Sequence, residues 1–351
     1  MRVLFDLGHP AHFHLFKHVI ASLHDHDHDV QVIARQKDCL PDLLHQANVP
    51  FHLIRRKKTG LAALGGEALR ALAVAAKLAW QEPFDLLVGN SIVVGPLGRL
   101  TATTSVVFNE DDAKAVPLQA LLAYRPADYV VTPRCLKFEK HGRKHLTYPG
   151  YEELGYLHPR RFKPDPGILG ELGLAKGDRY FLVRLVALTA HHDIGERGLN
   201  RPQARQVIDR LFQHGRVFLS TEAPADDDLK QHVLPTPPQR IFDVLAFADL
   251  VVGDSQTVTA EAAVLGTPSL RCNTFVGRLA YLEELEHRYG LTAGFRPEQF
   301  DELMAQLDDW LARPDLKTQW QQKRRAMLAD CVDLTGWILD LLHRLARRRA
   351  S

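Results

Sequence analysis

Short apolar runs alternate along the chain with segments whose apolar residues recur every three or four positions. Val3–Leu7 is such a run, stopped by Gly8 and Pro10, and reads as a buried strand. Within residues 12–23, Phe13, Phe16, Ile20 and Leu23 fall at helical spacing, with His, Lys and Ser between them. Strand-like runs recur at Val30–Ala34, Phe51–Ile54, Leu86–Val88, Val106–Phe108 and Tyr129–Thr132, with helical stretches at 40–47 and 118–123 between them. Strands alternating with helices predict parallel βαβ units covered on both faces.

Residues 149–167 break this rhythm with four prolines and three glycines, and read as a hinge. A second series follows, with strands at 180–183, 217–220, 250–252 and 268–270 and helices at 202–213, 241–247 and 257–265. From Pro297 onward the pattern is helical alone. The expected architecture is α/β: two doubly wound domains facing across a cleft, 1–163 and 164–330, with a terminal helix in 331–351 crossing back to the first. Such sheets bind ligands at the carboxyl ends of their strands.

Composition narrows the class. The chain has 351 residues, and 44 basic against 42 acidic residues leave a formal charge of +2, which disfavours a nucleic-acid partner. No apolar run is long enough to span a bilayer, the first residues lack a signal-peptide pattern, and the four cysteines lie far apart. A cytoplasmic enzyme is the expectation, with no metal and no cofactor required.

The segment DLVVGDSQTVTAEAAVLGTPSL, residues 249–270, carries the sharpest chemistry. A strand runs into Gly253, Asp254 and Ser255, and a helix opens near Thr257. Amides of Ser255, Gln256 and Thr257 at that opening suit a phosphate, because free donors and the helix dipole both favour negative charge. Glu261, four residues after Thr257, shares its face and can accept two ribose hydroxyls. The plainer reading is a capped helix with Glu261 solvated.

This segment resembles the nucleotide-binding stretch of GT-B enzymes, above all UDP-N-acetylglucosamine 2-epimerase and its glycosyltransferase relatives. With FDLGHPAHFHLFKH, HDVQVIARQKD, YPGYEELGYLHPRRFKPD and FLVRLVALTAHHD, the chain resembles domain of unknown function family 354, predicted glycosyltransferases. The resemblance implies a GT-B-like fold and a nucleotide-diphosphate sugar, a UDP-sugar favoured, held by Gly253, Ser255, Gln256, Thr257 and Glu261. The epimerases carry a glycine pair where this chain has Gln256 and Thr257.

Other candidates sit at strand ends. Arg184 can pair bidentately with phosphate oxygens, and His191, His192 and Asp193 follow in the loop beyond it. Glu222 lies where such folds contact base or sugar. In GHPAHFH, Gly8 permits a tight turn, His9 lines the helix start, and His12 is the general-base candidate. Glu110, Asp111 and Asp112 cluster after another strand, so mutual repulsion would raise one pKa for proton transfer. The resemblance places a catalytic glutamate near Glu110. Asn90 and Ser91 line the preceding strand end, and HDHDHD at 24–29 reads as a solvated turn.

RRKK at 55–58 and the basic terminal helix ending RRR at 347–349 could touch an anionic membrane surface, which would suit a lipid-linked rather than a free carbohydrate acceptor. Three functions follow: a metal-independent glycosyltransferase, a non-hydrolysing nucleotide-sugar 2-epimerase, or a non-catalytic nucleotide-sugar-binding protein.

Overall fold

The computed structural model describes residues 1–55, 61–114, 117–137, 141–175, 177–186, 197–222 and 224–350. The chain divides into two compact units, Met1–Arg161 with Val332–Ser351, and Phe162–Cys331.

The amino-terminal unit holds seven strands: β1 (Arg2–Leu7), β2 (Asp29–Arg35), β3 (His52–Ile54), β4 (Leu86–Gly89), β5 (Thr104–Phe108), β6 (Tyr129–Pro133) and β7 (His145–Tyr148). Their order is β3-β2-β1-β4-β5-β6-β7, and every pairing is parallel. Val3, Leu4, Phe5 and Leu7 of the interior strand β1 are buried, as expected of a parallel sheet covered on both faces. The chain reverses its direction of winding between β1 and β4. A Cβ on Gly89 there would come within 2.5 Å of the Asp6 carbonyl oxygen, so only glycine lets these strands approach.

The carboxy-terminal unit holds β8 (Tyr180–Leu185), β9 (Arg216–Thr221), β10 (Leu250–Gly253), β11 (Ser269–Cys272) and β12 (Thr292–Phe295), ordered β12-β11-β10-β8-β9. Its switch point lies between β8 and β10. A glycine marks this one too, because a Cβ on Gly253 would collide with the Arg184 carbonyl. Helix Gln256–Leu265 follows β10, and Val258 through Leu265 are all buried. Its alanines at 260, 262 and 263 fit a helix enclosed on all sides.

Of the stretch expected as a hinge, residues 149–161 are built into the amino-terminal unit and 162–167 belong to the carboxy-terminal one. Tyr151 to Leu157 are buried, with a 3-10 turn over Glu152–Gly155. Helix Leu334–Ala350 closes over that turn: Thr335 Oγ1 donates to the Gly155 carbonyl at 2.7 Å, and Trp337 packs on Tyr148. Arg161 grips Asp333 through Nε (3.0 Å) and Nη2 (2.6 Å). Ile338, Leu341, Leu342 and Leu345 are buried, so the main apolar stripe of this helix is turned into the unit. Among the described residues no helix is long and apolar enough to cross a membrane.

Candidate functional site

In the carboxy-terminal unit the candidates gather at the ends of β8, β9 and β10. Ser255 is the N-cap of helix Gln256–Leu265: its Oγ accepts from the Val258 amide at 3.3 Å, and its carbonyl accepts Thr259 Oγ1 at 2.7 Å. The helix opens one residue earlier than the pattern suggests. Gln256 and Thr257 are its first two residues, so their N–H groups lack intrahelical acceptors. Both are partly exposed, whereas the chain on either side of them is buried. Glu261 is 5% exposed, which rules out a solvated helix former.

Two expected contacts take other roles. Gly253 serves strand packing against Arg184, as described above. Asp254, 2% exposed, accepts the Val186 amide at 2.8 Å and the Leu199 amide, while its own carbonyl takes Asn273 Nδ2 at 2.7 Å. Burial pushes its carboxyl up to about 7. A carboxylate facing inward to two amides ties the chain together and would repel a phosphate rather than hold one. Gly198 completes this tie, since a Cβ there would fall on the Asp254 carboxylate.

Arg184 is not presented as an empty fork. Its Nη1 donates to Ser220 Oγ at 2.9 Å and its Nη2 to Glu222 Oε1 at 2.6 Å, while Nε is buried without a partner. Arg184 and Glu222, read separately from the sequence, are thus one pair. His191, His192 and Asp193 lie outside the described residues.

In the amino-terminal unit, Gly8, His9 and His12 follow β1. The helix Pro10–Asp25 opens with its donors already used. Pro10 has none, the Ala11 amide donates to His9 Nδ1 at 3.2 Å, and the His12 amide to the His9 carbonyl at 3.0 Å. His9 is therefore the N-cap. Gly8 needs no unusual backbone: a Cβ there would meet the His12 ring at an ordinary 3.7 Å. Its amide donates to His12 Nδ1 at 3.1 Å, which leaves the proton of the neutral ring on Nε2. Burial, with His9 and Lys37 nearby, holds His12 down to about 3. A neutral ring that offers an N–H is a hydrogen-bond donor, not the base expected.

Ser91 is likewise engaged. Its hydroxyl donates to Asp6, which forms a buried pair with Arg35, and accepts the Val93 amide at 3.1 Å. Asn90 lies beside it at the end of β4.

Glu110 does sit in a carboxylate cluster, but mostly with other partners than expected. Its Oε2 is buried without a partner, and the Glu152 amide donates to its carboxylate. Burial raises its pKa well above the usual range, and the charges of Glu153 and Glu152 add more than Asp111 does. Glu152, 6% exposed, rises for the same reasons. The Tyr148 hydroxyl, fully buried and without a partner, faces these carboxylates and is raised as well. Asp111 and Asp112 lie at the rim, half-buried, with Asn109 Nδ2 donating to the Asp111 carbonyl at 2.6 Å. Sequence reading missed Tyr148, Glu152 and Glu153. The available signal was two adjacent glutamates set among Tyr151, Leu154, Tyr156 and Leu157.

The HDHDHD turn is used locally: His28 Nδ1 meets the chain's amino group at 3.1 Å, and Asp29 pairs with Arg2. Among the described residues no group of three His, Cys, Asp or Glu side chains is placed to hold a metal ion.

No protein-family model and no curated protein sequence matches the chain. Solved structures do. Spinosyn forosaminyltransferase aligns over 99% of both chains at 17% identity with a TM-score of 0.68. UDP-GlcNAc 2-epimerase from Methanocaldococcus jannaschii aligns over 90% of this chain and 94% of its own, at 13% identity and 0.64. The Neisseria meningitidis UDP-GlcNAc 2-epimerase, bound to UDP-GlcNAc, aligns over 99% and 100%, at 9% identity and 0.65. At these identities the likeness is one of fold, and the two Rossmann-like units of this chain have the GT-B fold of glycosyltransferases and nucleotide-sugar 2-epimerases.

Proposed function

We propose that the chain is a GT-B glycosyltransferase, of the kind grouped as domain of unknown function family 354, that takes a sugar from a nucleotide-diphosphate donor. The observation that carries this reading is the pair of unspent amides at Gln256 and Thr257, opening an enclosed helix at the β8/β10 switch point. Those amides and the Ser255 hydroxyl would hold the diphosphate, Arg184 would meet its charge, and Glu261 would take the ribose. Fixed dipoles and a guanidinium stabilise a leaving diphosphate without a metal. In the amino-terminal unit, crowded carboxyls share protons, so one of Glu110 and Glu152 can accept the proton of an acceptor hydroxyl. His12 would orient the acceptor through Nε2–H.

The test is a thermal-shift panel of nucleoside diphosphates. At one hundred times its dissociation constant, a ligand of the native state should add about 2.7 kcal/mol of stability. Glu261→Ala should weaken that response. An unaltered melting curve with every nucleotide would remove the donor site.

The carboxylate cluster also supports a second reading, a 2-epimerase, in which Glu110 or Glu152 moves the C2 proton of the sugar. Incubation of a UDP-sugar in deuterated water without acceptor separates the two: deuterium at C2 favours the epimerase, and its absence the transferase. Nucleotide binding without turnover under any acceptor would leave a binding protein.

A further inference from the structure

The outer surface of one helical layer in the amino-terminal unit combines exposed apolar side chains with cations that form no ion pair with a carboxylate among the described residues. The layer consists of helix Leu61–Gln81, helix Val94–Thr101 and the segment Pro117–Tyr124. Its inner face is core: Ala71, Ala75, Ala79, Leu97 and Ala123 pack in one cluster over the sheet. The three pieces are pressed together, since a Cβ on Gly95 would lie 2.7 Å from the Ala123 carbonyl, and Arg99 Nε donates to the Pro126 carbonyl at 3.0 Å.

The outer face is unusual. Trp80 is 70% exposed and Leu69 67%, with Leu100, Leu118, Leu121 and Leu122 also exposed. These six are most of the large exposed apolar residues among the described positions. Leu69, Ala73, Lys77 and Trp80 follow one another at four, four and three residues, a single stripe on the helix. Scattered exposed leucines are ordinary, but six of the eight large exposed apolar side chains among the described residues gathered on one helical layer mark an interaction site.

Charge says what covers it. Arg70, Lys77, Arg99, Arg125 and Arg143 belong to this layer or border it, and no ion pair joins any of them to a carboxylate among the described residues. Lys144 lies beside them but is spent on the Tyr124, Arg125 and Ala127 carbonyls, with Asp128 as well as Arg99 acting on it. The carboxy-terminal unit differs: Arg205, Arg210, Arg240, Arg288 and Arg313 each hold an Asp or Glu. The three pieces of the layer contain a single acid, Glu67, which turns inward toward the buried Arg35 at 3.9 Å; of the acids that border them, Glu82 faces Arg2 and Asp128 accepts from the Ser105 amide and hydroxyl. A protein partner would need acids spread over an apolar face. A bilayer rich in anionic phospholipid presents both requirements as one plane.

We propose that this face docks on an anionic phospholipid bilayer, leucines and Trp80 entering the headgroup boundary while the cations engage lipid phosphates. It replaces the terminal helix as the membrane-facing element and does not depend on the reaction assigned above.

The test uses the full chain in co-sedimentation with vesicles of phosphatidylcholine containing phosphatidylglycerol, and with phosphatidylcholine alone. Binding to the anionic vesicles, weakened by added salt, is expected. Leu118→Ser with Leu121→Ser should lower the partition coefficient about tenfold, as should Arg99→Gln with Arg125→Gln. All four positions are exposed, and an unchanged melting temperature verifies folding. Equal binding to both vesicle types, no binding to either, or indifference to both double substitutions would overturn the proposal. So would a dimer in sedimentation equilibrium that the leucine substitutions dissociate, which would assign the face to a second copy of the chain. A chain that binds vesicles but no nucleotide would keep this proposal and lose the donor site.

Discussion

The Val186 amide donates to Asp254 Oδ1 at 2.8 Å, joining the end of β8 to the end of β10. The same carboxylate takes the Leu199 amide, so one side chain holds the chain on both sides of the 187–196 segment. Asp254→Asn keeps one acceptor but turns an N–H toward a backbone donor. The loss should be about 1–3 kcal/mol in denaturant unfolding. Burial raises this carboxyl, and Arg184 and Cys272 are the charged or titratable groups that act on it. Stability from a raised acid is complete below its unfolded pKa and is lost as pH rises through about 7. The deficit of the Asn variant should therefore shrink between pH 5 and pH 9. A constant deficit would show that Asp254 does not titrate there.

Gly253→Ala tests the switch point of the carboxy-terminal unit. The added methyl meets the Arg184 carbonyl, a backbone atom that cannot turn aside, so β8 and β10 must separate. Overpacking of this kind costs about 1–3 kcal/mol. Gly8→Ala, where the new methyl finds ordinary contact, should be nearly silent in the same urea titration.

This contrast also marks what the sequence could tell. The glycines at 8 and 253 look alike in the chain, each closing an apolar run, yet one is required by a neighbouring strand and the other is not. Strands, their parallel pairing and the helix after Ser255 followed from local periodicity. The strands at 145–148 and 292–295 did not, being short, half-polar or glycine-bearing. Pairings between distant residues were beyond local reading: Glu110 with Glu152, Arg184 with Glu222, and Asp6 with Arg35. Proline and glycine density made 149–167 resemble a hinge, while Tyr151, Leu154 and Leu157 beneath it were core.

The carboxylate cluster gives the amino-terminal unit a distinctive pH response. Burial and mutual repulsion raise Glu110 and Glu152, so their contribution is present in acid and fades as pH climbs above the ordinary glutamate range. Glu152→Gln removes that repulsion. It should raise the melting temperature at pH 8, change it little at pH 4, and lower turnover. A variant that melts below the native chain at pH 8 would mean the cluster is held by bonds that outweigh its repulsion.

His12 makes the opposite prediction in acid. Its ring is held to about 3, chiefly by burial, against an ordinary value of 6.5. A lowered histidine stabilises fully above 6.5 and loses that contribution as pH falls toward 3. Because the ring stays neutral through this range, an acid limb in a turnover profile near pH 6.5 cannot come from it. His12→Asn, which can still accept the Gly8 amide, should preserve folding, lower acceptor affinity and leave the profile's inflection in place. Loss of that inflection would return His12 to the role of base.

Arg184 and Glu222 offer the sharpest discrimination within the donor site. Nη2 sits 2.6 Å from Oε1, so a diphosphate approaching the guanidinium competes with a carboxylate already there. If Arg184 meets phosphate, Glu222→Gln frees the fork and should tighten nucleoside diphosphate binding by about fivefold, roughly 1 kcal/mol for a partly exposed pair. Arg184→Gln should weaken it by at least about tenfold, the loss of a charge-assisted hydrogen bond. If instead Glu222 receives the sugar or base and Arg184 only steadies it, both substitutions weaken binding. Calorimetric titration of the two variants with UDP reads the sign directly, because the competition and the cooperation of these side chains push Glu222→Gln in opposite directions.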